Sequence, residues 1–226
     1  MTSVDISYFE AIPWCATLLK DARWTIITTR SRSQKQNQED EFFSRTLSTE
    51  ETIPSCITQV QYADRSHNEQ LSAAPGSPPW QPAIIEVRTL FALSAGVNGY
   101  PGIAHGGLVS SLLDEVMGLL ITTNKDHHEK MLSSTAYEKA GSPTEGQPLR
   151  LTTVTAELNI KFRRPILTGG IVLVRAWFET VQGSTINLQA TIEDSRGQVL
   201  SEGAGRFVGL KPGKEHAFRG GPKPMI

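Results

Sequence analysis

The sequence has little of several features that mark whole classes of protein. Its 226 residues include only two cysteines, Cys15 and Cys56, which form neither a disulfide framework nor a metal-binding spacing. The formal net charge is −1, so no basic surface for nucleic acid or an anionic membrane is expected. No apolar run approaches the roughly 18 residues of a membrane span, and the N-terminus has no apolar core of a signal or transit peptide. We therefore expect a soluble, cytoplasmic protein in a reducing compartment.

Three regions of the chain differ in composition. Residues 1–82 are predicted to be an N-terminal extension that ends in a Pro-rich linker at 72–82. The extension holds too few periodic apolar residues to build a core of its own, so we expect it to pack on the main domain. Residues 83–210 are predicted to form that main domain, and residues 211–226 a flexible tail rich in Pro and Gly.

The main domain shows first a helical and then a strand periodicity. Apolar residues at helical spacing, among them Leu108, Leu112 and Val116, predict a long helix. One strand precedes this helix, and four strands joined mostly by short hairpin turns follow it. In the main domain, the expected elements are a strand at 83–93, a Gly/Pro turn at 94–104, the helix at 106–124, a polar loop at 125–148, and strands at 151–162, 170–181, 185–194 and 199–210. In the extension, a short helix is expected at 8–24 and a solvated or disordered segment at 30–41. This order predicts an α+β fold with a long central helix across an antiparallel sheet.

One segment, NGYPGIAHGGLVSSLLDEVMG, combines groups that can polarise and attack a carbonyl. His105, Gly106 and Gly107 open the predicted helix, and Asp114 follows nine residues after His105. Backbone N–H groups at the positive end of a helix stabilise developing negative charge, and glycines leave those groups accessible. Taken alone, the glycines could serve only a tight turn, and Asp114 and its neighbour Glu115 could be solvated surface acids.

The segment resembles the signature of the hotdog-fold acyl-CoA thioesterases of the PaaI and thioesterase-superfamily-member type. In that family a Pro-Gly-x-Ala-His-Gly-Gly run opens the central helix, and the catalytic Asp lies nine residues after the His. Residues 101–107 and Asp114 keep both spacings. Residues 155–162, TAELNIKF, and the Arg164-Pro165 that follows resemble the third strand of the family. The resemblance covers about residues 83–210, extends to fungal members, and implies a hotdog fold, in which a curved antiparallel sheet wraps the central helix.

Roles for four residues follow from this resemblance. It implies that Asp114 is the nucleophile, or the general base that activates water, and that the Gly106 N–H polarises the thioester carbonyl. His105 would orient the thioester or the turn, and Thr155 would hold the attacking water beside Asp114 from the partner subunit. Because hotdog sites usually lie between subunits, a homodimer or tetramer is implied. Simple strand alternation places Thr155 on the face that points away from its own helix.

Further substrate contacts are predicted around these residues. Asn98 stands close to the position of a family asparagine, and Gly107 completes the glycine pair that faces the substrate. Arg163 and Arg164 suit the phosphates of coenzyme A or of a carrier-protein phosphopantetheine, although such a strand end can also be merely solvated. No metal or other cofactor is expected, since His127-His128 has no further ligand at metal spacing.

The sequence therefore predicts a thioesterase that hydrolyses an acyl-CoA or acyl-carrier-protein thioester, with product release in a fungal metabolic pathway as one role. Three alternatives stay open. A hotdog hydratase or dehydratase would need an acid–base Asp/His pair on one carbon backbone, whereas His105 belongs to the glycine turn. A cyclase and a non-hydrolytic acyl-binding protein would use the same cavity with a different outcome.

Overall fold

A seven-stranded antiparallel sheet wraps one long helix in the part of the chain that the computed structural model describes, residues 3–63, 82–132 and 152–210. Along the sheet the strands run in the order β1-β2-β3-β7-β8-β9-β6. The elements are α1 (Ser3–Glu10), α2 (Pro13–Leu19), β1 (Thr25–Ile27), β2 (Cys56–Tyr62), β3 (Ile84–Ala92), β4 (Asn98–Tyr100), β5 (Ile103–Ala104), α3 (Gly106–Leu132), β6 (Thr153–Phe162), β7 (Ile171–Gln182), β8 (Thr185–Glu193) and β9 (Val199–Gly209). Strands β4 and β5 form a separate small hairpin directly before α3.

The helix α3 is the centre of the main core. Its apolar residues recur at helical spacing and pack under the sheet, and five of them have no exposed surface: Leu112, Leu113, Val116, Met117 and Leu120. By length and composition alone, residues 106–131 could cross a membrane. The sequence predicts no such segment, because no uninterrupted apolar run is long enough. The apolar side of the helix is instead covered by β3, β7, β8 and β9 of its own sheet.

The predicted strands of the main domain are confirmed to within one or two residues at each end that the structure describes. The helix is longer than predicted, because it continues through residues 125–132 where a polar loop was expected. The polar residues of this stretch are half-buried or exposed, and Asp126 among them forms an ion pair with Arg30. Residues 72–81 of the linker, 133–148 of the loop and the tail at 211–226 lie outside the described residues.

The N-terminal region is more ordered than the sequence predicts. Instead of one helix at 8–24, two helices meet at Pro13, whose ring fits the first turn of α2 but cannot continue α1. Phe9 and Cys15 are fully buried on the outer face of the sheet against Ile57 and Leu90. Strands β1 and β2 also come from this region, so it supplies two strands of the sheet as well as a covering layer.

Glycines on β9 let the sheet approach the central helix closely. A Cβ atom on Gly205 would lie 2.5 Å from the Met117 sulfur and 3.0 Å from an edge carbon of Phe207. Gly203 faces Leu113 and Met117 in the same way, at 3.2 and 3.3 Å. Because the Met117 side chain is fully buried, any shift that it makes must displace its packed neighbours.

We expect Gly205→Ala to lower the free energy of unfolding by about 1–3 kcal/mol through overpacking between β9 and α3. Gly118→Ala is the matched control, because a Cβ at that helical position meets no atom within 4 Å. It should raise stability by up to about 1 kcal/mol through helix propensity. Urea unfolding of both variants measures the difference, and a neutral or stabilising Gly205→Ala would contradict this packing.

Candidate active site

The β4–β5 hairpin delivers His105 to the first turn of α3. Gly102 turns the hairpin with a φ of +72°, a conformation that suits glycine. The His105 carbonyl accepts the Val109 N–H at 3.1 Å, which starts the helix. Its Nδ1 accepts the Gly107 N–H at 2.9 Å, so this imidazole nitrogen is engaged within the turn. A Cβ on Gly107 would lie only 3.0 Å from Nδ1, which explains the glycine there.

Gly106 presents an accessible backbone N–H at the positive end of α3. The residue is exposed, and an N–H in the first helical turn has no carbonyl partner within the helix. Phe162, at the end of β6, lies beside it, since an added Cβ would contact the ring at 3.7 Å. The arrangement offers a hydrogen-bond donor and a helix dipole to an oxygen that gains negative charge.

Asp114 lies about two turns further along α3 and is held by Thr155 of β6. The Thr155 hydroxyl donates to the Asp114 Oδ1 at 2.8 Å, within one chain. Asp114 is partly buried, and burial raises the pKa of its carboxyl, while the hydrogen bond from Thr155 opposes that rise. A carboxylate held in this way is a stronger base than a solvated one, and its orientation is fixed.

The predicted orientation of Thr155 is wrong, and a β-bulge is the reason. Thr155 pairs with Phe207 of β9, whereas Glu157 pairs with the adjacent Arg206, so Ala156 is an extra residue in the ladder. The bulge breaks the alternation of faces, leaving Thr155 on the helix side, opposite Phe207. Glu157 turns outward, where its carboxylate accepts hydrogen bonds from the Arg206 guanidinium.

The helix sets a fixed separation between the two halves of the site. Gly106 and Asp114 are eight residues apart, which corresponds to about 12 Å along the axis. Reacting groups must approach a substrate carbonyl to within about 3–3.5 Å, so Gly106 and Asp114 of one chain cannot act on the same thioester.

A small cavity of about 290 Å³ adjoins Asp114, and the N-terminal region contributes to its wall. Glu115 lines this cavity, and burial raises the pKa of its carboxyl to about 7, with further upward contributions from Asp40 and Asp114. Ser31 lies beside it and is only 3% exposed. The expectation that residues 30–41 are solvated is therefore wrong at Ser31. Sequence reasoning also missed the burial of Glu115, because the segment that covers it lies far away in the chain.

The remaining predicted substrate residues do not converge on Asp114. Asn98 accepts a hydrogen bond from the Thr168 hydroxyl at 2.6 Å and lies in the hairpin before the helix. Arg163 pairs with Glu202 at 2.9 Å. Arg164 instead lines a larger cavity of about 720 Å³, which lies beside α1 and α2 and the ends of β7, β8 and β9. The two arginines thus have different surroundings.

The first turns of α3 also carry two serines, Ser110 and Ser111. Ser110 and Ser111 donate their hydroxyls to the Gly106 and Gly107 carbonyls at 2.9 Å each, a backbone contact typical of helical serines. Among the described residues, no group of three or more His, Cys, Asp or Glu side chains is arranged to hold a metal ion. The groups present at the site are a carboxylate, a hydroxyl and a backbone N–H.

Comparison with known proteins agrees with this arrangement. Residues 101–201, which contain the His-Gly-Gly turn, α3 and strands β6 to β8, match the family described as the thioesterase superfamily. The chain is 27% identical over 200 residues to verlamelin biosynthesis protein B of a Lecanicillium species, covering 86% of this chain and 83% of that protein. It is 26% identical over 132 residues to the acyl-coenzyme A thioesterase THEM4 of Bos taurus, covering 57% of this chain but only 44% of that protein.

Among solved structures, a hypothetical thioesterase protein from Streptococcus pneumoniae, crystallised with coenzyme A, is similar at a TM-score of 0.43 and 14% identity. The similarity covers 56% of this chain and 82% of that one. Residues 101–201 thus match the thioesterase superfamily, and the long helix with its wrapped antiparallel sheet is the hotdog fold.

Proposed function

We propose that this protein hydrolyses the thioester of an acyl-CoA or of an acyl carrier protein. The observation that carries the proposal is the hydrogen bond from Thr155 to the partly buried Asp114. A carboxylate with a raised pKa and a fixed orientation can attack the thioester carbonyl as a nucleophile or remove a proton from water. In either case the carbonyl oxygen gains negative charge, and the Gly106 N–H and the dipole of α3 stabilise that oxygen.

The distance along α3 implies that a working site joins two chains. If Gly106 of one chain polarises the carbonyl, Asp114 must come from another, because its own Asp114 is about 12 Å away along the helix. The outer edge of β6 has no neighbouring strand among the described residues, and β6 carries both Thr155 and the 58% exposed Phe162. A homodimer formed along this edge would bring the two halves together.

The names of two relatives support a thioester as the class of substrate. THEM4 is an acyl-coenzyme A thioesterase, and the Lecanicillium protein belongs to the biosynthesis of verlamelin. We infer that this chain acts on a thioester and that release of a product in a fungal metabolic pathway is one role. The geometry disfavours a hydratase, since His105 is engaged with Gly107 and lies nine residues from Asp114.

We expect Asp114→Asn to reduce acyl-CoA hydrolysis by on the order of 100-fold or more, because the amide is neither base nor nucleophile. Wild-type turnover should fall as the pH drops through the raised pKa of Asp114, since protonation has the same effect as the substitution. The exposed Glu129→Gln on the same helix is the control and should keep full activity. Near-normal turnover by a folded Asp114→Asn variant would remove Asp114 from the mechanism.

Mixing two inactive variants tests the shared site. Asp114→Asn and Gly106→Val should each be inactive, yet a heterodimer of the two holds one site with both defects and one intact site. A randomly reassembled equal mixture should therefore recover about a quarter of wild-type activity. The measurement is hydrolysis after unfolding and joint refolding, with each variant refolded alone as control. Absence of recovery in a mixture shown to contain heterodimers would refute the shared site.

The two arginines should differ in their effect on coenzyme A binding. Arg164→Ala should raise KM for an acyl-CoA more than it lowers kcat, because phosphates lie far from the carbonyl and add uniform binding. Arg163→Ala should have a smaller effect, since Glu202 already pairs with that side chain. An acyl-N-acetylcysteamine has no phosphates and should be hydrolysed equally by both variants. Equal losses on both substrates would show that Arg164 supports the fold instead.

A further inference from the structure

A cavity of about 420 Å³ lies on the outer face of the sheet, on the opposite side from α3. It is bounded by α2, by strands β2, β3 and β7, and by the turn between β8 and β9. Its apolar wall consists of Trp14, Leu18, Trp24 and Leu173. The volume is typical of cavities that bind small ligands, and no residue of the candidate active site lines it.

Arg88 in the wall of this cavity is a buried cation without an acid partner. The residue is 6% exposed, and its guanidinium donates to the Gln59 Oε1 at 3.0 Å and to the Leu18 carbonyl at 2.6 Å, both neutral acceptors. Within residues 3–63, 82–132 and 152–210 it forms no ion pair. Burial lowers the pKa of Arg88 to about 10, as expected when a cation is taken out of water.

The structural contacts of Arg88 engage only part of its guanidinium. Its two hydrogen bonds attach the end of α2 to β3, and the Trp24 ring covers one face, with its centroid 3.9 Å away. A guanidinium has five N–H donors, and these two bonds leave three of them. Among the described residues, no nitrogen of Arg88 is sealed off without a partner, so the remaining donors open onto the cavity.

The position of Arg88 in the sheet adds to its need for an anion. It lies directly opposite Arg175 on the neighbouring strand β7, and like charges in such a pair repel each other. Arg175 is compensated by an ion pair with Glu86 at 2.6 Å, and Arg23, the third cation of the lining, by one with Asp21 at 2.7 Å. Arg88 is therefore the cation of this wall that is left for a ligand to pair with.

The acids of the lining limit the ligand to a single negative charge. Glu193 accepts the Thr191 hydroxyl at 2.8 Å and lies 3.8 Å from Arg175. Asp194 accepts two backbone N–H groups of its own turn at 2.8 and 2.9 Å. A phosphate would bring a second negative charge near these two acids, whereas a carboxylate brings one charge and two oxygens that match a guanidinium. The tryptophan and leucine side chains offer apolar surface to the rest of the ligand.

We propose that this cavity binds a monocarboxylic acid with an apolar body, whose carboxylate pairs with Arg88 and whose body lies against Trp14, Trp24 and Leu173. Alkanoates and arylalkanoates share this chemistry. A thioester has no charge at its acyl carbon and lacks the anion that Arg88 requires, so the cavity distinguishes a free acid from its thioester. The inference does not depend on the proposed function, because this cavity and the one beside Asp114 have no residue in common.

Isothermal titration calorimetry of the full chain with octanoate and with octanamide tests the role of the charge. The amide has the shape of the acid without its charge, so the wild-type protein should bind octanoate at least about 10-fold more tightly. Titration with 3-phenylpropionate distinguishes an aryl from an alkyl body, and inorganic phosphate should bind more weakly than either acid. If octanamide or phosphate binds as tightly as octanoate, or if neither acid binds saturably, the assignment is wrong.

Substitutions at Thr17 locate the binding in this cavity without disturbing the core. Thr17 is exposed on α2 and lines the cavity. Thr17→Glu adds a carboxylate that competes for Arg88, and it should weaken octanoate binding roughly 10-fold or more. Thr17→Gln, of the same size but neutral, is the matched control and should keep the wild-type Kd. Octanoate bound beside Asp114 would respond to neither change, so equal Kd values for the wild type and Thr17→Glu would overturn the proposal.

Removal of the cation itself is the complementary test. Arg88→Met should abolish the preference for octanoate over octanamide. Arg206→Met is its control, because Arg206 is an exposed arginine outside the cavity whose partner is Glu157. Near-UV circular dichroism shows whether α2 stays packed when Arg88 is replaced, and the Thr17 variants decide the question if it does not. A folded Arg88→Met that keeps the full preference would refute the assignment.

Discussion

The buried face of α3 is the constraint on which the rest of the molecule depends. Its apolar residues, with no exposed surface at Leu112, Val116 and Leu120, fix the helix against the sheet in one rotation and one position. The rise of the helix then sets Gly106 and Asp114 about 12 Å apart. Neither side chain nor loop motion can close that distance while the core stays packed. The proposal that two copies of the chain share a site rests on this separation, which the packed core keeps fixed.

A single irregularity in the sheet completes each half of the site. Without the extra residue at Ala156, strand alternation would turn Thr155 outward and leave Asp114 without a hydrogen-bond donor on β6. The bulge costs one regular ladder position, yet it fixes the direction of a carboxylate whose pKa is raised by burial. Bulges are common beside active sites for this reason, since they redirect one side chain while the rest of the strand keeps its apolar contacts.

The sequence could predict what depends on local periodicity and on short motifs. The helical spacing of Leu108, Leu112 and Val116 located α3, and the His-Gly-Gly turn located its start, which the structure confirms. The orientation of Thr155 could not be predicted, because a bulge has no signature in an alternating strand. The burial of Glu115 could not be predicted either, since it depends on Ser31, more than 80 residues earlier in the chain. Both errors lie at the candidate site, where tertiary contacts override local pattern.

The composition of the N-terminal region predicts an extension that packs on the main domain, whereas in the structure part of this region lines the cavity beside Asp114. A polar segment has no means of forming its own core, but it can wall a cavity when arginines attach it to carbonyls and to the helix. Arg32 and Arg30 do this on either side of Ser31. In the proposed function, the helix and the sheet supply the groups that attack the thioester. The N-terminal region supplies part of the wall beside Asp114, so the surroundings of that carboxylate depend on a segment outside the helix and its neighbouring strands.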